Sequence, residues 1–305
     1  MGRKQMSAHS PTVSIGLPVY NGEQFLAQAL DSVLAQTVRD YELIISDNAS
    51  TDRTAEICRE YAARDPRIRY YRNANNMGAA FNYNRVFQLS RGEYFKWLAD
   101  DDLCAPTFLE RCLEMLEQRP DAILAYPKCQ WIDENGGLFE DGAAAARSTP
   151  WPLNPAERFR HLLDEFTSNG GHSAAIYVFG LLRASAVRRV HPMGDYKGAD
   201  LGFLAELSLY GTFVEVPEYL TFLRAGSGSA SWRWMARPDE VMDFWNPAPK
   251  GGLAAAIFRF QRYWEYLRSV AQSPIGAVDK VLLLAYCLSL GPRRLHHRRT
   301  SAFTT

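Results

Sequence analysis

The sequence predicts an α/β fold: a mainly parallel sheet flanked by helices, followed by amphipathic C-terminal helices. Three observations carry this expectation. Strand-like and helix-like patterns alternate five times between residues 13 and 126. Polar residues gather where the strand-like runs end. From about Gly251 to Leu290 the chain is rich in Phe, Tyr, Trp and Leu at helical spacing.

Val13-Ser14-Ile15-Gly16-Leu17 is a short apolar run stopped by Pro18, a buried-strand pattern. Asn21-Gly22 makes a turn, and Phe25, Leu26, Ala29, Leu30, Val33 and Leu34 then recur with helical period. Tyr41–Ser46 is the second strand, closed by Asp47-Asn48. Ser50-Thr51-Asp52 caps the helix that follows to Ala63, with Asp52 assigned mainly to capping. Arg67–Arg72 reads as a third strand, Asn73–Gly78 as a loop and Ala79–Leu89 as a helix. Glu93–Leu98 is a fourth strand running into three aspartates. Pro106 opens a helix to about Gln118, and Asp121–Tyr126 is a fifth strand.

The second half is less regular. Asp141–Pro155 reads as an exposed loop and Ala156–Phe166 as a helix. Ile176–Leu182 reads as a strand, Leu201–Leu209 as a helix and Thr212–Leu223 as extended chain. The expected organisation is a flexible N-terminus over 1–12, a first half over 13–130, a second half of the same domain over 131–250, and a helical appendage with a basic tail over 251–305.

Composition excludes some classes. A chain of 305 residues with 47% hydrophobic and 22% charged residues buries a core without disulfides or structural metal. Lys+Arg and Asp+Glu balance at 34 each, so charge gives no argument for a nucleic-acid partner. Five cysteines without a CxxC fit a reducing compartment. Residues 1–11 have no apolar signal-like region, and Val281–Leu290 is too short to span a bilayer. A cytoplasmic location is expected.

In open parallel sheets, ligands bind outside the carboxyl ends of the strands. Pro18-Val19-Tyr20-Asn21, Asp47-Asn48, Asn75-Asn76-Met77-Gly78 and Asp100-Asp101-Asp102 all fall there and describe one crevice. Adjacent carboxylates repel, and a hard divalent cation such as Mg²⁺ or Mn²⁺, shared with substrate phosphates, is their natural partner. The same triplet also reads as a solvated acidic turn. Asp47 can accept a ring N–H from uracil or thymine, or it can form an Asx turn. Tyr20 can stack on a base, or pack in the core.

The segments 17–37 (LPVYNGEQFLAQALDSVLAQT), 41–54 (YELIISDNASTDRT), 73–84 (NANNMGAAFNYN) and 94–112 (YFKWLADDDLCAPTFLERC) together resemble family 2 glycosyltransferases of the Rossmann-like GT-A fold. Phe179–Arg183 and Gly198–Leu201 resemble the acceptor-side half more loosely. The resemblance implies inverting transfer from a nucleotide-diphospho-sugar, UDP- or dTDP-linked by preference, to an acceptor hydroxyl. Pro18, Tyr20, Asp47, Asn76 and Asn84 would line the nucleoside pocket, with Asn21 beside them. Asp100 and Asp102 would form the DxD pair for metal and phosphate, although the commonest pattern has an aspartate where Ala99 stands and Asp101-Asp102 is an alternative register. Asp200 falls at the position of the general base, with Asp195 and Glu206 as rivals and an N-cap role as the alternative.

A second departure lies at Arg224-Ala225-Gly226-Ser227, where many relatives carry a histidine after the arginine. Either Arg224 and Ser227 hold the diphosphate, or Trp232 and Arg233 fold over it, or activity is reduced. The competing reading is a degenerate relative that binds a nucleotide sugar or a partner without turnover. Pro18-Val19-Tyr20-Asn21-Gly22 is neither a glycine-rich phosphate loop nor a GxGxxG loop, so a nucleotidyltransferase or a dehydrogenase is not indicated, and the histidines form no HExxH pair. His172 and His191 carry no paired ligand spacing. The acceptor is a saccharide, a lipid-linked saccharide or a small metabolite. The basic tail from Arg293 to Arg299 offers a peripheral contact to an anionic membrane.

Overall fold

The structure, a computed structural model, describes residues 10–144, 151–168, 176–196, 198–225 and 252–293. Ser227, Trp232, Arg233, His172 and the basic run after Arg293 lie outside the described residues.

Among the described residues, four parallel strands form the N-terminal side of one nine-stranded sheet: β1 (Val13–Val19), β2 (Tyr41–Asp47), β3 (Ile68–Arg72) and β4 (Tyr94–Trp97). Their order is β3-β2-β1-β4, so the chain starts at an interior strand and reverses its winding between β1 and β4. That reversal opens a crevice at the carboxyl ends. The register places Val19 beside Asp47, and Asp47 beside Arg72, so these three ends lie level.

Period-two alternation puts apolar residues on both faces. Leu43 and Ile45 pack with Leu26 and Leu30 of α1 (Leu26–Leu34), Cys58 of α2 (Thr54–Arg64) and Phe108 of α4 (Phe108–Gln118). Ile44, Phe95 and Trp97 face the opposite layer, built from α3 (Ala79–Gln88), α5 (Pro155–Ser168) and later helices. Strands buried on both faces read as continuous apolar runs, which is why YELIIS was legible.

The fifth strand departs from expectation. The segment β6 (Ala122–Ile132) does not extend the parallel sheet beside β4. The short β8 (Leu181–Arg183) lies between them, antiparallel to both. β6 instead pairs in parallel with β9 (Thr212–Arg224), which pairs antiparallel with β5 (Leu103–Cys104) just after the aspartates. The stretch read as a strand from Ile176 begins as a 3₁₀ turn, Ile176–Phe179. Gly180 separates turn from strand, and a Cβ there would lie 2.6 Å from the Ala125 carbonyl oxygen. The stretch from Asp141, read as loop, begins within β7 (Leu138–Ala144), which pairs with β6.

After the short α6 (Ala184–Val187), α7 (Ala199–Ser208) buries nearly its whole circumference. Its outer neighbours are α8 (Gly252–Gln272) and, behind it, α9 (Ala277–Arg293), with Tyr266, Val270, Leu283 and Cys287 in the core.

Candidate active site

The acidic loop follows β4. Asp101 and Asp102 are buried, and Asp100 is half-buried. The Arg224 backbone N–H donates to Asp102 Oδ1 at 3.0 Å. The Arg224 guanidinium is fully buried: Nε donates to the Asp101 carbonyl at 2.9 Å, Nη1 to the carbonyls of Asp133 and Glu134, and Nη2 to Gln28 Oε1. It also lies 4.3 Å from the centre of the Phe25 ring. The expected diphosphate ligand is therefore turned inward and holds the acidic loop. A guanidinium matches this role because its planar fork serves several carbonyls at once.

Burial, and then the adjacent Asp101, push the Asp102 carboxyl well above the usual range; the Arg224 N–H and the Lys96 ammonium oppose this. Lys96 is itself buried in β4, with Nζ 2.5 Å from the Phe179 carbonyl and over the Phe108 ring. Sequence reasoning took EYFKWL as an apolar strand and missed this cation beneath the acidic loop.

Among the described residues no three His, Cys, Asp or Glu side chains converge as a metal cage. The donor set fits a hard cation only as one or two carboxylates completed by phosphate oxygens and water. Crowded buried carboxylates, with Asp102 pushed toward its neutral form, are the chemistry such a cation would relieve.

Asn21 has a left-handed backbone, φ 53°. Its Oδ1 accepts the Thr51 N–H at 2.8 Å, tying the β1 turn to the turn after β2. Gly22 comes next, and a Cβ there would stand 2.2 Å from Asp100 Oδ2 and 2.8 Å from Val19. The glycine thus lets the acidic loop seat against the first strand's turn. Pro18 lies within β1, and Tyr20, 43% exposed, stands at the crevice as a stacking residue would.

Asp47 is wholly buried. Oδ1 accepts the Ser50 N–H at 2.8 Å, the Asx turn anticipated as the alternative, and Oδ2 accepts the Tyr70 hydroxyl at 2.8 Å with Arg72 3.3 Å away. Both oxygens are thus partnered within the protein. Asn76 Oδ1 accepts from Asn48 Nδ2 at 2.7 Å and from the Gly78 N–H. Asn84 departs from the expected nucleoside contact. Its amide makes a reciprocal pair with the Met193 backbone, donating to the carbonyl at 2.8 Å and accepting from the N–H at 3.0 Å. It braces α3 to the second half instead.

A network that sequence reasoning missed stitches the strand ends. Asn73 Nδ2 donates to Asn48 Oδ1 at 2.8 Å, and Asn82 Nδ2 donates to the Ser46 carbonyl at 2.7 Å. Asn48 Oδ1 also accepts the Met77 N–H. Such buried amides fix backbone that would otherwise carry unsatisfied polar groups. The available signal was Asn82 itself, a polar residue at the buried helical spacing set by Ala79 and Val86.

Asp200 occupies the first turn of α7 and is half-buried. Burial pushes its carboxyl up to about 6, against hydrogen bonds from backbone N–H groups and the positive charge of Arg262. Gly198 precedes it with φ 79°, and a Cβ there would lie 2.9 Å from Arg262 Nη1. Its two rivals are engaged elsewhere. Glu206 is buried and pairs with His191, Oε1 to Nδ1 at 2.8 Å, and Asp195 Oδ1 accepts from Gln261 at 3.4 Å.

Tyr83 connects the two carboxylate groups. Burial first, then the negative fields of Asp100, Asp101, Asp200 and Asp102, push its hydroxyl up and keep it protonated. Trp97 donates its indole N–H to the Tyr83 carbonyl at 3.1 Å, and Phe203 of α7 packs edge-on against Trp97 at 5.4 Å. Trp97 thus ties the strand before the acidic loop to the helix that carries Asp200.

Comparison with known proteins places this geometry. The family model described as "Glycosyl transferase family 2" matches residues 14–189. A glycosyltransferase of Methanocaldococcus jannaschii is 32% identical over 133 residues, 43% of this chain and 46% of that protein. The chondroitin synthase of Escherichia coli is 35% identical over 150 residues, 48% of this chain and 21% of that protein. The match thus spans less than half the length of these curated relatives. Among solved structures, TarS residues 1–349 of S. aureus in complex with UDP superposes with TM-score 0.64 at 13% identity, covering 91% of this chain and 70% of that one. A mannosyltransferase of Pyrobaculum calidifontis, in complex with GDP-Man and Mn²⁺, gives TM-score 0.53 at 16% identity, covering 94% and 82%. The sheet, its helices and the family match agree: the chain has the GT-A fold and belongs to glycosyl transferase family 2.

Proposed function

We propose that the protein is an inverting glycosyltransferase that moves a sugar from a nucleotide diphosphate donor to an acceptor hydroxyl. The observation that carries this reading is that one buried hydroxyl, that of Tyr83, lies within the fields of both the crowded acidic loop and Asp200, while Trp97 of β4 packs on Phe203 of the helix that carries Asp200.

Asp200 takes the acceptor's hydroxyl proton as the acceptor oxygen bonds to the anomeric carbon. The bond from that carbon to the β-phosphate oxygen breaks on the opposite face, and the nucleoside diphosphate leaves with the electron pair. A base held near about 6 is ionised at neutral pH yet basic enough to accept that proton. Glu206 and Asp195 are engaged with His191 and Gln261, which favours Asp200 over both.

Asp100 and Asp102, or Asp101 in the shifted register, would hold Mn²⁺ or Mg²⁺ together with the donor phosphates. Such an ion neutralises charge on the departing diphosphate. Related folds bind UDP in one case and GDP-Man with Mn²⁺ in another. Tyr20, Asn21, Pro18, Asp47 and Asn76 surround the place for the nucleoside. A uridine or thymidine base would exchange one internal partner of Asp47 for its ring N–H. We assign a cytoplasmic site of action and a saccharide, lipid-linked saccharide or small metabolite as acceptor.

One observation favours a second reading, a nucleotide-sugar binding module without turnover. The Arg224 guanidinium is wholly used inside the protein, so it supplies no cation to a diphosphate. Incubation with UDP-, dTDP- and GDP-sugars, with and without Mn²⁺, separates the two. Nucleoside diphosphate release that Asp200→Asn abolishes, with a product of inverted anomeric configuration, supports the transferase. Binding with no release from any donor supports the module.

A further inference from the structure

Helix α9 is apolar on two opposite sides. Leu283 and Cys287 are buried in the core. On the outer side Val278, Val281, Leu282 and Leu288 are 73%, 66%, 63% and 65% exposed, with Ala285 exposed between them. Their spacing of three and four residues makes one continuous stripe. The ten residues from Val281 to Leu290 carry no charge at all. A surface helix normally turns a polar face to water, and a helix apolar all round is normally covered.

Charge is segregated in the sequence that follows the stripe. The chain as a whole is neutral, yet from Lys280 to residue 305 there is no Asp or Glu. Lys280, Arg293, Arg294, Arg298 and Arg299 all fall in that stretch, with His296 and His297 among them. A cover must therefore accept an apolar stripe and a block of cations that follows it in the chain. A second copy of this face would cover the stripe but bring no block of counter-charge for the cations, which disfavours it. A bilayer surface bearing anionic headgroups supplies both complements: acyl chains for the stripe and phosphates for the cations. At 17 residues, α9 is too short to cross, and no helix among the described residues is long and apolar enough to do so.

We infer that the outer face of α9, with the basic run after it, docks the protein onto an anionic lipid surface, the helix lying in the interface plane. This inference does not depend on the proposed transfer reaction, because binding to vesicles needs neither donor nor acceptor.

The test is co-sedimentation of the full chain with phosphatidylcholine vesicles carrying about 30% phosphatidylglycerol, and with vesicles of phosphatidylcholine alone. The expected result is binding to the anionic vesicles that weakens at about 0.5 M salt. Val281→Asp with Leu288→Asp should weaken it at least about tenfold while thermal unfolding stays unchanged, since both side chains are solvent-facing. Should that pair fail to fold, Val281→Ser with Leu288→Ser makes the same test. Replacing Arg293, Arg294, Arg298 and Arg299 with Gln should remove the salt-sensitive part. No binding by the wild-type chain, or equal binding by the stripe variant, overturns the inference. So does a dimer in solution that the stripe substitutions dissolve.

Discussion

The Arg224 backbone N–H donates to Asp102 Oδ1 at 3.0 Å, while its side chain holds the carbonyl of Asp101 at 2.9 Å. One residue at the end of β9 thus fixes the acidic loop by both its main chain and its guanidinium. Arg224→Met would strand the carbonyl of buried Asp101 and untie the turn at Asp133 and Glu134, which are half-buried and exposed. A loss of about 1–3 kcal/mol is expected, the cost of one unsatisfied buried group. Arg224→Lys should rescue little, because an ammonium cannot span the fork. Urea unfolding checks both.

Gly22→Ala should weaken binding and stability together. The added methyl meets the Asp100 carboxylate, a side-chain end that can move, and also the buried Val19 side chain at 2.8 Å, which gives less, so the fold should lose about 1–3 kcal/mol. The displaced carboxylate should weaken metal-dependent nucleotide binding by about tenfold or more, about 1.4 kcal/mol. Calorimetry alongside a melting curve reads the two effects apart.

Asp200 gives a pH signature. Its carboxyl is raised to about 6, so kcat/KM should fall below about pH 6 with unit slope as the base protonates. Removing the opposing cation with Arg262→Gln should move this limb to higher pH. Stability runs the other way. A carboxyl raised in the folded state disfavours folding once ionised, so the penalty grows as pH rises from the unfolded value toward about 6 and is complete above it. Asp200→Asn should therefore be inactive yet more stable at pH 8 by about 1–3 kcal/mol, with the difference vanishing near pH 4.

The asparagine network should be non-additive. Asn48→Ala and Asn73→Ala share the bond from Asn73 Nδ2 to Asn48 Oδ1. Each should cost about 1–3 kcal/mol, and the double variant less than the sum. A strictly additive cycle would show that the network does not act as a unit.

The helices and the first four strands were legible from local pattern: short apolar runs closed by turn residues, as along Tyr41–Asp47, and a spacing of about four along Leu26–Leu34. The insertion of β8 between β4 and β6 was not, since three residues pairing across about sixty or more positions leave no local pattern. The acidic loop stood out as carboxylates at a strand end, and Asp200 through the resemblance of its segment to the family's acceptor-side half. The roles of Arg224, Asn84, Lys96 and Tyr83 did not. Whether an arginine points outward to phosphate or inward to carbonyls depends on partners such as Asp133 and Gln28, which only the tertiary fold brings near.

The most direct test is calorimetric titration of UDP, dTDP and GDP into the wild-type chain, Asp102→Ala and Asp200→Asn, each with Mn²⁺ and with EDTA. The account predicts tight binding of one nucleotide that is lost with EDTA and with Asp102→Ala but kept in Asp200→Asn. Binding of no nucleotide, or binding indifferent to both metal and Asp102, would contradict it.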